Sequence, residues 1–133
     1  MLYYTPPPEI DALRPSHAHH FRGNTSVTMG HFHLADFYAY AANGSANDKH
    51  THRLQGYTYV NDKHFHRYLG NTGPAIPAPD GSHYHMIDIE VNDEPFITKG
   101  NFYSTVLSID RHTHRLTGPT GTGIGYEDVS FFL

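Results

Sequence analysis

The chain has 133 residues, an apolar fraction of 38% and a formal charge of −4, which bounds it to one domain with a thin core. It has no Cys, which excludes disulfides, thiolate metal sites and Cys nucleophiles, and its nine Lys and Arg are too few for a nucleic-acid surface. No apolar run is long enough to span a membrane, and the start MLYYTPPPEIDALRP lacks the basic and apolar regions of a signal peptide. Location stays open, with the exterior or a cell or spore surface preferred to the cytoplasm. A thin core without disulfides needs help from a metal or from oligomerisation.

In chain order, residues 1–16 read as a Pro-rich arm, with Pro6, Pro7, Pro8 and Pro15 favouring extended backbone. Residues 17–133 read as a single all-β repeat domain. The chain holds thirteen His, of which all but His20 fall into His-x-His pairs. The pairs are His17/His19, His31/His33, His50/His52, His64/His66, His83/His85 and His112/His114. Random placement at this His frequency gives roughly one such pair. The first members are spaced by 14, 19, 14, 19 and 29 residues, a 33-residue period stretched at the end by an insertion. Gly23, Thr25, Val27 and Phe32 recur in register as Gly56, Thr58, Val60 and Phe65. The repeats are therefore 17–49, 50–82 and 83–133, with an inserted hairpin at about 92–109.

The local pattern is that of strands. His17, His19 and Phe21 share parity, as do His50, His52 and Leu54, His64, His66 and Tyr68, His83, His85 and Ile87, and His112, His114 and Leu116. Arg53, Arg67 and Arg115 fall on the opposite face. Period-two alternation of this kind marks a half-buried strand, and it aims both imidazoles of a pair at one place. Steps of 14 residues suit hairpins, so the expected fold is all-β: stacked β-hairpin repeats with His pairs on strands and a metal-laced core. The tail carries Val129, Phe131, Phe132 and Leu133, which need burial against the domain or a neighbour.

The stretch HFHRYLGNTGPAIPAPDGSHYH, over residues 64–85, resembles the YmaF-like family of small His-rich bacterial repeat proteins. The likeness is most specific at Thr72, Gly73, Pro74, Ala75, Ile76 and Pro77, followed by His83 and His85. It extends over roughly residues 17–120 and departs in LADFYAYAANGSANDK, which lacks the TGPAIP element. The resemblance implies repeated His-x-His elements and metal binding, and it supplies no reaction.

All twelve paired His are candidate metal ligands: His17, His19, His31, His33, His50, His52, His64, His66, His83, His85, His112 and His114. Buried neutral imidazoles need partners at both ring nitrogens, and a metal satisfies several acceptor nitrogens at once. Imidazole donors point to copper or zinc first, then nickel or iron, with several ions per chain. Twelve ligands divide into three four-His or four three-His sites. His50, His52, His64 and His66 are expected together or beside the equivalent residues of adjacent repeats. Asp48, Asp62 and Asp110, each two residues before a pair, read as further ligands, as outer carboxylates or as plain turn residues.

The expected function is a non-enzymatic metal-binding protein that self-assembles as a homo-oligomer or filament, a surface or structural subunit. One alternative is a metalloenzyme of cupin type, resting on His83-x-His85-x4-Glu90, but the rest of that motif is missing. A second is a metal-free assembly protein that uses its ten Tyr and eight Phe as interface.

Overall fold

The computed structural model describes residues 16–99, 102–105 and 108–125. The expected arm over 1–16 lies outside the described residues apart from Ser16, and so does the apolar tail after residue 125. Among the described residues there are strands and no helix. The strands are β1 (His17–Ala18), β2 (His20–Asn24), β3 (Leu34–Tyr38), β4 (Arg53–Tyr57), β5 (Arg67–Asn71) and β6 (Ile76–Pro77). They continue as β7 (His83–Tyr84), β8 (Met86–Glu90), β9 (Phe96–Lys99), β10 (Phe102–Thr105), β11 (Arg115–Pro119) and β12 (Ile124–Gly125).

Three antiparallel hairpins carry the fold: β2–β3, β4–β5 and β8–β11. A lone two-stranded hairpin is marginal in water, so each must bury its apolar face against the others. They do this in a closed triangle, with β3 beside β4, β5 beside β8, and β11 beside β2. Backbone bonds lace every seam. Tyr40 N donates to Arg53 O and Tyr59 N to Leu34 O between the first and second hairpins. Gly73 N donates to Met86 O and Asn92 N to Arg67 O between the second and third. Ser26 N donates to Arg115 O and Gly121 N to His20 O between the third and first.

Inside the triangle lies one apolar cluster of Phe21, Ala35, Phe37, Leu54, Tyr68, Ile87, Val91 and Leu116, with Ile89 against it. Phe21, Ala35, Leu54, Tyr68, Ile87 and Leu116 each stand two residues after the second His of a pair. Alternation of the extended chain thus sends pair and apolar residue to the same interior. Large and small residues interlock across the strands: Leu54 faces Gly70, Tyr68 faces Gly56 and Ile87 faces Gly118. A Cβ on Gly56 would stand 2.9 Å from Tyr68 Cζ, so the ring fills the space the glycine leaves.

The His pairs sit one step earlier than the strand reading places them. Each main strand begins at the residue after a pair, so most of the imidazoles project from extended backbone ahead of the ladder. His17 in β1 and His83 in β7 lie in short strands of their own. The same-side geometry of residues i and i+2 survives, because it needs extended backbone and not a ladder partner.

The inserted segment forms the hairpin β9–β10 and is joined to the domain by a bridge between Phe65 and Phe96. Their rings stack with centroids 5.7 Å apart, and the Arg67 guanidinium lies 5.4 Å from the Phe96 centroid. Part of the inserted hairpin's apolar surface is thereby covered within the chain. Phe102, Tyr103, Val106 and Leu107 lie outside what is described at side-chain level.

Candidate metal centres

Antiparallel pairing places the starts of β2 and β3 at opposite ends of their hairpin, and the same holds for β4–β5 and β8–β11. The pairs ahead of β2, β4 and β8 therefore gather at one end of the triangle. Those ahead of β3, β5 and β11 gather at the other, about 15–20 Å away by strand rise. Two sets of six result. The first holds His17, His19, His50, His52, His83 and His85, and the second His31, His33, His64, His66, His112 and His114. Within each set one ring nitrogen per residue lies within 4.8 Å of all the others. The expected division into sites of four or of three gives way to two sets of six. The reason is the closed triangle: three hairpins present three pairs at each end.

The rings are arranged with a definite symmetry. In the first set, each ring meets every other edge-to-face, at centroid distances of 4.4–5.2 Å, except for one. The excepted partners are His17 and His85, His19 and His50, and His52 and His83. The second set repeats this at 4.6–5.1 Å. There the excepted partners are His31 and His66, His33 and His112, and His64 and His114. Six vertices, each adjacent to all others but one, are the vertices of an octahedron. The excepted partners are its opposite corners, and each such axis joins the first His of one hairpin to the second His of another. Three neighbouring Nε2 pairs of the first set, among His17, His19, His50 and His83, and five of the second stand 3.0–3.2 Å apart. Edges of that length put the centre about 2.1–2.3 Å from each nitrogen, close to metal–imidazole bond lengths.

The outer ring nitrogens fix which atom faces inward. His52 Nδ1–H donates to Tyr40 O at 2.8 Å and His33 to Tyr59 O at 3.1 Å. His85 donates to Gly73 O and His66 to Asn92 O, both at 2.9 Å. His19 donates to Gly121 O and His114 to Ser26 O, again at 2.9 Å. Every one of these bonds crosses a seam between hairpins. With the proton on Nδ1, the Nε2 lone pair points to the centre. His52 Nε2 and His85 Nε2 are buried there with no hydrogen-bond partner, an expensive state for an isolated acceptor.

Among the first members of each pair, His64 Nδ1 donates to Asp62 O at 2.8 Å and His112 Nδ1 to Asp110 O at 2.7 Å. His50 Nδ1 donates to the Asp48 carboxylate at 2.6 Å. The three Asp therefore orient imidazoles from outside: Asp48 by its side chain, Asp110 by its backbone carbonyl, and Asp62 by its carbonyl at His64 and its carboxylate 3.3 Å from His31 Nδ1. Burial alone would raise the Asp48 carboxyl, but bonds from the His50 ring and the Ser45 and His50 amides hold it at about 2. Glu90 belongs to neither set; its carboxylate bonds Arg115 at 3.3 Å on the outer face, so the cupin-type grouping with His83 and His85 is not formed.

Burial, aided by neighbouring imidazoles, pushes His19 and His66 down to about 3 and His33, His83 and His85 to about 4. These five rings are thus held neutral, the form that binds metal. Each set offers nitrogen lone pairs and no carboxylate at its centre, a donor set for transition metals and not for calcium or magnesium.

Four buried threonines support the rings and were not singled out for that role by the sequence. Thr72 Oγ1 accepts from His52 N, and Thr72 N donates to His52 O. Thr58 does the same for His66, Thr25 for His33 and Thr120 for His85. Their signal is Gly-x-Thr at the end of a strand, in 23–25, 56–58, 70–72 and 118–120. The residue after each Thr is the one whose carbonyl holds a His ring of the adjoining hairpin.

Residues 40–94 match the YmaF family, described as "Spore germination protein GerY/YamF". The chain is 39% identical over 123 residues to "Uncharacterized protein YmaF" of Bacillus subtilis (strain 168), covering 88% of this chain and 90% of that protein. No solved structure matches. With that identity over nearly the whole of both proteins, the chain belongs to the YmaF family.

Proposed function

We propose that this is a non-enzymatic transition-metal-binding protein that holds one ion in each His set, the two ions cross-linking its three hairpins. The observation that carries the reading is the octahedral arrangement of inward-facing Nε2 atoms in both sets. Lone pairs converging at such distances in a buried space repel one another, and a cation at the centre turns that repulsion into coordination. The apolar cluster is small, and fully burying a large side chain stabilises by only about 1.5–3 kcal/mol. Metal binding in such a fold is folding free energy.

Six protein ligands leave no open position, whereas catalytic zinc sites keep one for water or substrate. The ions therefore serve structure or storage and not turnover. The family description supports a spore setting. Self-association belongs to the same proposal: Tyr38, Tyr40, Tyr57 and Tyr59 are exposed near the seam of the first and second hairpins, and exposed aromatics are interface material. Sedimentation of metal-loaded protein at high concentration tests this part, and a monomer throughout refutes it.

Elemental analysis of natively purified protein tests the main reading and is expected to give two transition-metal ions per chain. Refolding from denaturant should recover much less stability with chelator present than with metal supplied. Metal-free native protein that refolds fully in chelator refutes the proposal.

A further inference from the structure

Resting on that metal-binding reading, we infer that both centres select divalent ions that prefer six-fold octahedral coordination, namely iron(II), cobalt(II) or nickel(II), over zinc and copper. The sequence alone pointed to copper or zinc, since imidazole donors suit both. The arrangement of the rings argues otherwise.

Zinc prefers four ligands at tetrahedral angles. Any four corners of an octahedron include at least one opposite pair, so no four rings of either set approach a tetrahedron. In the first set, His17 with His85, His19 with His50 and His52 with His83 are the opposites, and four ligands cannot be drawn without taking both members of one pair. A four-coordinate ion would have to turn rings whose Nδ1 atoms are tied to backbone across the seams, at His19, His52 and His85 in this set. It would also leave two imidazole acceptors buried without a partner.

Copper(II) prefers a tetragonal site, with one axis unlike the other two. Here the three axes are alike: each joins the first His of one hairpin to the second His of another, and all six donors are neutral imidazoles. No axis carries a weaker or more distant kind of ligand. Among His17, His19, His50 and His83 the neighbouring Nε2 distances, 3.0, 3.0 and 3.1 Å, are alike. Manganese(II) stands lowest in the affinity order for nitrogen donors. What remains is the group from iron(II) to nickel(II).

Cobalt(II) tests this, because its colour reports coordination number. The full chain is refolded from denaturant with cobalt(II) as the only transition metal. The expected result is two cobalt ions per chain with weak six-coordinate d–d bands. Those bands should show circular dichroism, since three chelating pairs wrap each ion as a propeller. Equimolar zinc should leave most of the cobalt in place. Two cobalt ions with the intense blue bands of four-coordination overturn this inference and leave metal binding standing. So does stoichiometric displacement by zinc, or refolding with zinc but not with cobalt. Refolding to the same stability with no bound metal of any kind overturns both.

Discussion

The two His sets reach the same geometry from different supports. In the second set, His31 and His64 follow two-residue turns closed by the bridges Thr28–His31 and Asn61–His64. Met29 and Gly30 have φ of 53° and 80°, and Asp62 and Lys63 have 52° and 67°, so both central residues are left-handed as a tight hairpin requires. Among the described residues the first set has no two-residue turns of this kind. His17 is held by β12 and by a bridge to Ala42, His83 by β6, and His50 by the Asp48 carboxylate and the amide of Ala75. Local turns thus support two corners of the second set, whereas in the first His17 is held by contacts distant in sequence, at Ala42 and Gly125, and His50 leans in part on Ala75. Closing long loops costs chain entropy that a bound ion must offset. The first set should therefore depend more on its ion.

The largest effect that tests this contrast is removal of one central ligand from each set. His52→Ala and His66→Ala are each expected to drop metal content from two ions to one per chain and to lower stability by about 3–5 kcal/mol. Denaturant titration with parallel elemental analysis reads both. If the first set leans more on its ion, His52→Ala costs more; equal losses break the comparison.

Acid comes next. In the metal-free chain, His19 and His66 near 3 and His33, His83 and His85 near 4 lie below the unfolded imidazole value of about 6.5. A depressed folded value means that the unfolded chain binds more protons. Stability is therefore full above about pH 6.5 and falls as the pH drops toward 3–4. Melting temperatures of chelator-treated protein should hold from pH 7.5 to about 6.5 and decline from there to pH 4. A flat profile would show that the rings are not buried neutral.

Smaller effects sharpen the contrast. Thr72→Val and Thr58→Val remove equivalent bonds to His52 and His66, and each should cost about 1–3 kcal/mol by orphaning a buried amide. Because its set has fewer tight turns to hold it, the first-set variant should release its ion faster to a chelator. Smallest is Asp48→Asn, which weakens the bond to His50 Nδ1 and should lower first-set metal affinity by about tenfold while leaving the second set unchanged. Equal loss at both sets would contradict the separation of the two centres. Stopped-flow chelation with two resolved phases measures both cases.

Much of this protein is written in local pattern. His-x-His followed by an apolar residue of the same parity identified the strands, the interior face and the candidate ligands, because alternation in extended chain is a local property. The outward Arg53, Arg67 and Arg115 followed from the same rule and are exposed. The place of each pair, one step ahead of its strand, was not legible, since ladder bonds depend on the partner strand. The grouping of ligands was not legible either. His50/His52 and His64/His66 are neighbours in sequence and belong to one hairpin, yet they serve different centres. Antiparallel pairing separates them, and closure of three hairpins brings each to its counterparts 31–33 residues away and beyond. By itself the sequence determined that twelve imidazoles would face a common interior. Only the tertiary structure decided that they meet six at a time as octahedra, because a closed triangle of antiparallel hairpins has two ends and presents three pairs at each.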